Sequence, residues 1–505
     1  MMSIDTHVDN PLVHENSFIH RPMDQSTPPQ FATSKDKLPH PIWEGHEPAI
    51  DCYWKAWELA FGNIRKPNEG SGFVSPFIDT AFNNCLFMWD SAFALMFGRY
   101  GVRAFNFQKT LDNFYAHQHK DGYICREIQE LNGEERFERF DPSSTGPNIL
   151  PWCEWEYFMN TGDLQRLADV FPVLLAYSHW FRKHRSWPDG TYWSSGWGCG
   201  MDNQPRLPAG YSPEFDHGHM SWVDTTCQQV LANRILIDMA KVLDREQEVS
   251  DLVTETKHLE THLNEKMWNE QQQFYTDRDR DGSLSDLKSI GSFWALLADI
   301  LPEERQECFM AHLENETEFN RPHRVPTLSA DHPLYDPEGG YWLGGVWAPT
   351  TYMVLRGLSK AGKHKLAHEI GVNHVENVVT AFVNQGTLFE NYAPEKAEGK
   401  FKRDFVGWTG LPPIAVLFEY VFGLRPEVSQ NTLRWDVRLL EKHGVNLYPF
   451  GVDTLVDLLC EQRTSTSEAP TLRIVSTTDI EMVVSWGAEE KNISLRANIP
   501  FKGVI

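Results

Sequence analysis

Basic residues are in deficit in this chain: 46 Lys and Arg stand against 70 Asp and Glu, a formal net charge of -24 over 505 residues. Such a chain repels phosphate backbones and anionic bilayers, which argues against nucleic acid and membranes as partners. No apolar run is long enough to span a bilayer. The opening Met1-Met2-Ser3-Ile4-Asp5-Thr6-His7 lacks the basic start and apolar stretch of a secretory leader. The eight cysteines are dispersed with no Cys-x-x-Cys pair, a usage that fits a reduced, cytoplasmic protein rather than a disulfide framework. Phosphate-binding glycine patterns, dinucleotide fingerprints and nucleophilic serine elbows are missing too.

Aromatic rings are abundant, with 18 Trp, 30 Phe and 15 Tyr. Rigid rings suit the apolar faces of sugars, although most such rings fill cores. Residues 1–40 are rich in His, Pro, Ser and Asp without apolar periodicity and are expected to form an arm or a partly ordered tail. From 41 to 424 the chain reads as amphipathic helices between Gly/Pro-rich loops. Val223, Cys227, Val230, Leu231, Ile235 and Met239, for instance, recur at helical spacing. Helices are expected near 47–62, 89–99, 103–119, 147–160, 163–186, 221–243, 246–268, 286–300, 302–314, 346–361, 363–384 and 408–423.

Short links such as Asn160-Thr161-Gly162-Asp163 and Lys360-Ala361-Gly362-Lys363 force antiparallel helical hairpins, while long loops separate the pairs. Twelve helices in that rhythm predict an all-α fold, an (α/α)6 barrel with its long loops gathered at one end. An open helical solenoid is the rival, and it should show a tighter repeat. After Gly423 short β-favouring runs, such as Ile480-Glu481-Met482-Val483-Val484-Ser485-Trp486, predict a small β domain over 425–505.

Two carboxylates stand in unusual settings. Asp202 follows Ser195-Gly196-Trp197-Gly198-Cys199-Gly200-Met201, and Glu390 lies in Gly386-Thr387-Leu388-Phe389-Glu390-Asn391-Tyr392. A pair of carboxyl groups across one pocket suits glycoside hydrolysis, in which one protonates the departing oxygen and the other activates water. Burial beside Trp197 and Met201 would raise the Asp202 pKa, as an acid requires.

Four stretches carry a family resemblance: Phe87-Met88-Trp89-Asp90-Ser91-Ala92-Phe93, Ser195 to Arg206, Gly339-Gly340-Tyr341-Trp342-Leu343-Gly344-Gly345-Val346-Trp347-Ala348-Pro349, and Leu388-Phe389-Glu390-Asn391-Tyr392-Ala393-Pro394. In them the chain resembles the inverting glycosidases of glycoside hydrolase family 63 and their trehalase-like relatives. The resemblance implies Asp202 as general acid, Glu390 as general base, and Trp89 and Asp90 as pocket residues. It implies an α-glucosidase-like enzyme acting on a small α-linked glucoside or mannoside by single displacement, with no cofactor. The departures are Leu343, where many relatives carry Arg, and Gly345, where they carry Pro. Loss of that guanidinium predicts a preference for neutral glucosides over glycerate-like acids, unless Arg206 or Arg126 supplies the charge.

Gln118, Trp197, Asn203, Arg206, Tyr341, Trp342, Trp347 and Trp408 complete the candidate substrate-binding set. Each has a plain alternative: rings as core, Asp90 as a complement to its helix dipole, Arg206 as a loop brace. Asp277-Arg278-Asp279-Arg280-Asp281-Gly282 starts like a calcium loop, but Lys288 stands where the bidentate Glu belongs, and a surface turn is favoured. His217 and His219 lack further ligands at metal-site spacing. The rival functions are a sugar phosphorylase or epimerase on the same kind of barrel and a non-catalytic carbohydrate-binding protein.

Overall fold

The computed structural model describes residues 8–80 and 83–505. Each of the twelve expected helices has a counterpart: α1 Glu47–Gly62, α2 Met88–Gly98, α3 Thr110–Ala116, α4 Leu150–Thr161, α5 Leu164–His184, α6 Val223–Val242, α7 Ser250–Lys266, α8 Trp294–Leu297, α9 Glu303–Ala311, α10 Ala348–Lys360, α11 His364–Gln385 and α12 Leu411–Val421, the last wound as a π-helix. Burial divides them into two kinds. Every residue of α2 and α12 is buried, whereas α7 buries only Leu252, Thr256, Leu259 and Leu263, one stripe at helical spacing.

The even-numbered helices close a ring: α2 packs on α4, α4 on α6, α6 on α8, α8 on α10, α10 on α12, and α12 back on α2. Most odd-numbered helices lie outside it, α5 against α4 and α6, α7 against α6, and α11 against α10 and α12. A helical barrel therefore forms the body of the chain. Left-handed Gly162 (φ 72°) ends α4, and the Asp163 side chain caps α5 by accepting from Arg166 N at 3.0 Å, so the hairpin turns within two residues.

A polar network crosses the interior. Arg99, just past α2, donates to Glu156 of α4 at 3.0 Å and to Glu419 of α12 at 2.6 Å. The hydroxyls of Tyr100 and Tyr352 donate to Glu419 at 2.8 and 2.9 Å. The network links α4, α10 and α12 through Arg99 and Glu419, with the Arg99 Nε alone of that guanidinium's nitrogens left without a hydrogen bond among the described residues.

The all-α label is too loose for the whole chain, although strands are expected after Gly423. Residues from Leu424 onward build two sheets. The four-stranded sheet runs Leu424–Glu427, Thr432–Asp436, Ile480–Trp486, Glu489–Leu495. The five-stranded sheet takes its first strand, His40–Trp43, from the other end of the chain, paired antiparallel with His443–Asn446. The arm expected over 1–40 is corrected as well for residues 8–40, while residues 1–7 lie outside the described residues. Phe18 and Leu38 are fully buried, Asn16 donates to Tyr115 O at 2.9 Å, and Arg21 pairs with Asp112 and Asp169. Polar composition hid this because the anchors are isolated residues rather than a periodic face.

Two histidines store an acid sensitivity. Burial lowers His374 to about 3 and His443 to about 4, whereas the unfolded side chains titrate near about 6.5. Between those values the unfolded chain holds the extra proton, so stability is full above pH ~6.5 and falls as pH drops towards the folded values. Each histidine contributes a slope of about 1.4 kcal/mol per pH unit. Urea unfolding of wild type and His374→Asn between pH 7 and 4.5 checks this: the variant's stability should fall less steeply, and parallel curves would exclude His374 as a source.

Candidate active site

A cavity of about 170 Å³ opens at the end of the barrel where the inner helices begin. Its walls come from residues just ahead of or opening those helices: Trp89 and Asp90 on α2, Gly146 and Pro147 before α4, Trp197 and Asp202 before α6, Tyr341, Trp342 and Trp347 before α10, and Glu390 and Trp408 before α12. Helix N-termini present unpaired N–H groups and positive dipole ends, which favour carboxylates here.

The loop that carries Asp202 is shaped by local rules. Ser195 Oγ accepts from Gly198 N at 3.0 Å and caps one helical turn, Gly196–Cys199, which Gly200 ends in the left-handed region at φ 79°. A Cβ on Gly200 would stand 3.0 Å from the Trp89 ring, so the glycine allows both the turn and the approach of the tryptophan. Asp202 follows and faces the cavity. Burial pushes its carboxyl up to about 6, with Arg126 opposing and Glu214 adding to the rise.

Glu390 sits on the strand Phe389–Tyr392, paired with Gly399–Arg403, and is 4% exposed. Burial raises its pKa; Lys402 N at 3.5 Å and the Tyr341 hydroxyl at 3.2 Å oppose the rise by donating to it. Trp408 Nε1 donates to Glu390 O at 2.7 Å and fixes the strand. Asp90 is held well above the usual carboxylate range, first by burial and then by the charge of Glu390. The pocket thus crowds Asp90, Asp202 and Glu390 together, and of these Glu390 is the best supplied with donors to its charged form.

Tyr341 acts on both catalytic candidates, because its hydroxyl also lowers Asp202. Its backbone is left-handed at φ 66°, a conformation that costs about 1 kcal/mol or more and persists only where neighbours impose it. Trp347 Nε1 holds the Tyr341 carbonyl at 3.1 Å, and Trp342 stacks on Trp347 at 3.9 Å. Asn203 ties this loop to the one that carries Asp202, donating to Gly340 O at 3.0 Å and accepting from Trp342 N at 2.9 Å.

Three members of the candidate set do not line the cavity. Gln118 spends its amide on Gly122 O and Val173 O outside the pocket. Asn203 acts as the loop clamp just described. Arg206 is fully committed to Asp224 and Asp277 through four hydrogen bonds of 2.6–2.9 Å and lies 4.1 Å from the Trp222 ring. The same contact takes Asp277 away from any calcium loop. Leu343 is not among the cavity residues either, whereas Arg126 and Arg136 are. Arg126 is positioned by Ser143 O at 2.6 Å and lies over the Phe137 and Trp197 rings. Arg136, with Asn83 and Glu127, was not legible as a pocket residue, because nothing in a polar loop of mixed charge marks which side chain turns inward.

A helical barrel with a carboxyl-lined, aromatic-walled cavity at the helix N-termini is the architecture of a class of glycosidases. Residues 84–409 match the family described as "Mannosylglycerate hydrolase MGH1-like glycoside hydrolase domain", and the chain belongs to that family and is a glycoside hydrolase. It is 24% identical over 349 residues to an uncharacterized protein of Borreliella burgdorferi, covering 66% of this chain and 71% of that one. It is 24% identical over 282 residues to the probable mannosyl-oligosaccharide glucosidase of Schizosaccharomyces pombe, covering 49% of this chain but 34% of the relative. The chain thus spans about a third of the length of the yeast glucosidases it matches. Among solved structures, the GH63 mannosylglycerate hydrolase of Thermus thermophilus in complex with glucose superposes with a TM-score of 0.58 at 20% identity, over 73% of this chain and 99% of that one. Among the described residues no helix is long and apolar enough to cross a membrane.

Replacing Arg206 by Met should leave Asp224 and Asp277 buried without a countercharge, a loss of about 3–5 kcal/mol for a broken buried pair. Arg206→Lys should rescue little, since one ammonium does not reproduce two forked contacts. Chemical denaturation decides it, and a loss below about 1 kcal/mol for Arg206→Met would show that the brace is dispensable.

Proposed function

We propose that the enzyme is an inverting glycosidase on an (α/α)6 barrel, with Asp202 as general acid and Glu390 as general base, acting on a small α-linked glucoside or mannoside. The observation that carries the assignment is that two buried carboxyls share one cavity and differ in the donors that reach them. Asp202 is raised by burial to about 6 and so retains its proton in mildly acidic solution. Glu390 accepts from Lys402 N and Tyr341, which favours the ionised state a base requires. Asp202 protonates the glycosidic oxygen as the bond to the anomeric carbon breaks. Glu390 takes a proton from a water that attacks the opposite face, and configuration inverts in one displacement. The buried, neutral Asp90 is suited to donate a hydrogen bond to a sugar hydroxyl, and the tryptophan walls to cover the ring.

The aglycone reading changes from the neutral one that Leu343 suggested. The condition attached to that expectation is a guanidinium from elsewhere, and Arg126 meets it, with Arg136 beside it in the same wall. Arg206 does not contribute. The Thermus relative's name specifies mannosylglycerate, an anionic substrate of the kind two guanidiniums would hold. A small carboxylate-bearing aglycone is therefore the better reading. An epimerase would call for histidines at the reacting centre; the buried His323–His374 pair lies outside the cavity wall.

Asp202→Asn and Glu390→Gln should each lower kcat by at least about 10²-fold, the scale of general acid and base catalysis, without changing the fold. Wild-type activity should fall as pH rises through about 6, as Asp202 loses its proton, and this limb should vanish in Asp202→Asn. NMR of the first product should show the inverted anomer, and a retained anomer would end the assignment. For the aglycone, kcat/KM should be higher for a glycerate glycoside than for a neutral disaccharide, and Arg126→Ala should erase the difference. Equal values in the wild type would return the neutral reading.

A further inference from the structure

A second cavity, of about 1030 Å³, lies at the far end of the barrel, between the C-terminal parts of the inner helices and the four-stranded sheet. Basic side chains at helix C-termini have an ordinary explanation, since they offset the negative dipole end. That accounts for Arg356 and Lys360 in the last turns of α10. It does not account for Arg425, Arg434 and Arg438, which come from the sheet side and line the same cavity alongside carboxylates of that sheet, Glu427, Asp436 and Glu489 among them.

These three guanidiniums are under-used. Arg434 and Arg438 each bond one carboxylate, Glu427 at 2.8 Å and Asp436 at 2.7 Å, and each does so through Nε. Their terminal nitrogens have no hydrogen bond among the described residues. Arg425 bonds no carboxylate among the described residues; its one contact is Nη1 to the Nδ1 of His364 at 2.8 Å. That imidazole must be unprotonated at Nδ1 to accept, and burial, followed by the neighbouring arginines, disfavours its charged form against the pull of Asp436. Arg425 itself is lowered by burial first; Tyr420 and Asp436 oppose that fall from a distance, and Arg356 and Arg434 deepen it. A chain with 24 surplus negative charges thus holds here a half-buried guanidinium to which no carboxylate is bonded.

We propose that this cavity is a binding site for a small phosphorylated molecule, with its phosphate seated on Arg425, Arg434 and Arg438. Three forks offer more donors than the two oxygens of a monocarboxylate accept, whereas a phosphate ester presents three oxygens and a charge near two. Wide space beyond the arginines leaves room for the organic part. The wall belongs to both the barrel and the sheet, so an occupant bridges the two and stabilises the fold by binding only the native state.

The test is calorimetric titration of the full chain with inorganic phosphate, hexose 6-phosphate and the free hexose, at constant ionic strength in chloride. Saturable phosphate binding is expected. It should weaken about tenfold or more in Arg425→Leu, the loss of a charge-assisted contact, and persist in the Arg126→Ala/Arg136→Ala double variant, which changes the catalytic pocket instead. A hexose phosphate binding more tightly than phosphate would mark a sugar phosphate as the occupant; equal affinities would mark free phosphate. Arg434→Leu, at a more exposed position, gives the same reading if Arg425→Leu does not fold. No saturable binding, unchanged affinity in folded Arg425→Leu, or loss of binding in the catalytic-pocket variant would overturn the proposal. None of these readouts depends on hydrolysis, so the catalytic assignment stands or falls separately.

Discussion

One buried guanidinium holds the loop that carries Asp202 to the barrel. Arg206 stands four residues after Asp202, and its fork reaches Asp224 in the first turn of α6 and Asp277 at the start of the loop that leads to α8. Asp277 in turn accepts from Val223 N at 2.9 Å, so the start of α6 is tied into the same knot. With both guanidinium edges engaged, the loop between Ser195 and Arg206 has fixed ends. The position of Asp202 is then set by its backbone, and its carboxyl, approached by the Tyr341 hydroxyl, remains able to exchange a proton.

The same economy governs the opposite wall. Tyr341 sits in a left-handed conformation that its own preferences oppose, and Asn203 and Trp347 supply the bonds that impose it. Asn203 adjoins Asp202, so the two walls are registered by a side chain next to one carboxyl acting on the loop that braces Glu390. Preorganisation of this kind keeps donors aimed where charge develops, without reorganisation during the reaction. It also explains how Asp90, Asp202 and Glu390 coexist in one cavity: burial raises each of them, and the distribution of donors among them differs.

Much of this was legible in the chain. Helical spacing and short links disclosed the hairpins because periodicity and loop length are local signals. Trp89, Asp90, Trp197, Tyr341, Trp342, Trp347 and Trp408 stand in the cavity with Asp202 and Glu390 because they cluster near helix starts within distinctive strings. What failed was direction. Gln118 and Arg206 lie in the right loops, yet their side chains turn away from the cavity. Arg136 lies in an undistinguished loop and turns inward. Leu343 reads as a wall residue from its neighbours, although the glycines around it place its side chain elsewhere. The strand His40–Trp43 was hidden for a different reason: its partner is about 400 residues away, and no local pattern announces such a pairing.

The ring of parallel inner helices imposes a polarity on the whole molecule. Its N-terminal end gathers Asp90, Asp202 and Glu390, where positive dipole ends partly compensate carboxyls that burial would otherwise keep neutral. Its C-terminal end gathers Arg99, Arg356 and Lys360 beside the network that joins α4, α10 and α12. The helical hairpins themselves would be satisfied by that arrangement alone. The sheet then adds Arg425, Arg434 and Arg438 to an end already supplied with cations, and Arg425 is repelled by both Arg434 and Arg356. Carboxylates stand in the same wall, but Glu427 and Asp436 are bonded to Arg434 and Arg438, which leaves the Arg425 guanidinium as the group that an anion bound there would engage first.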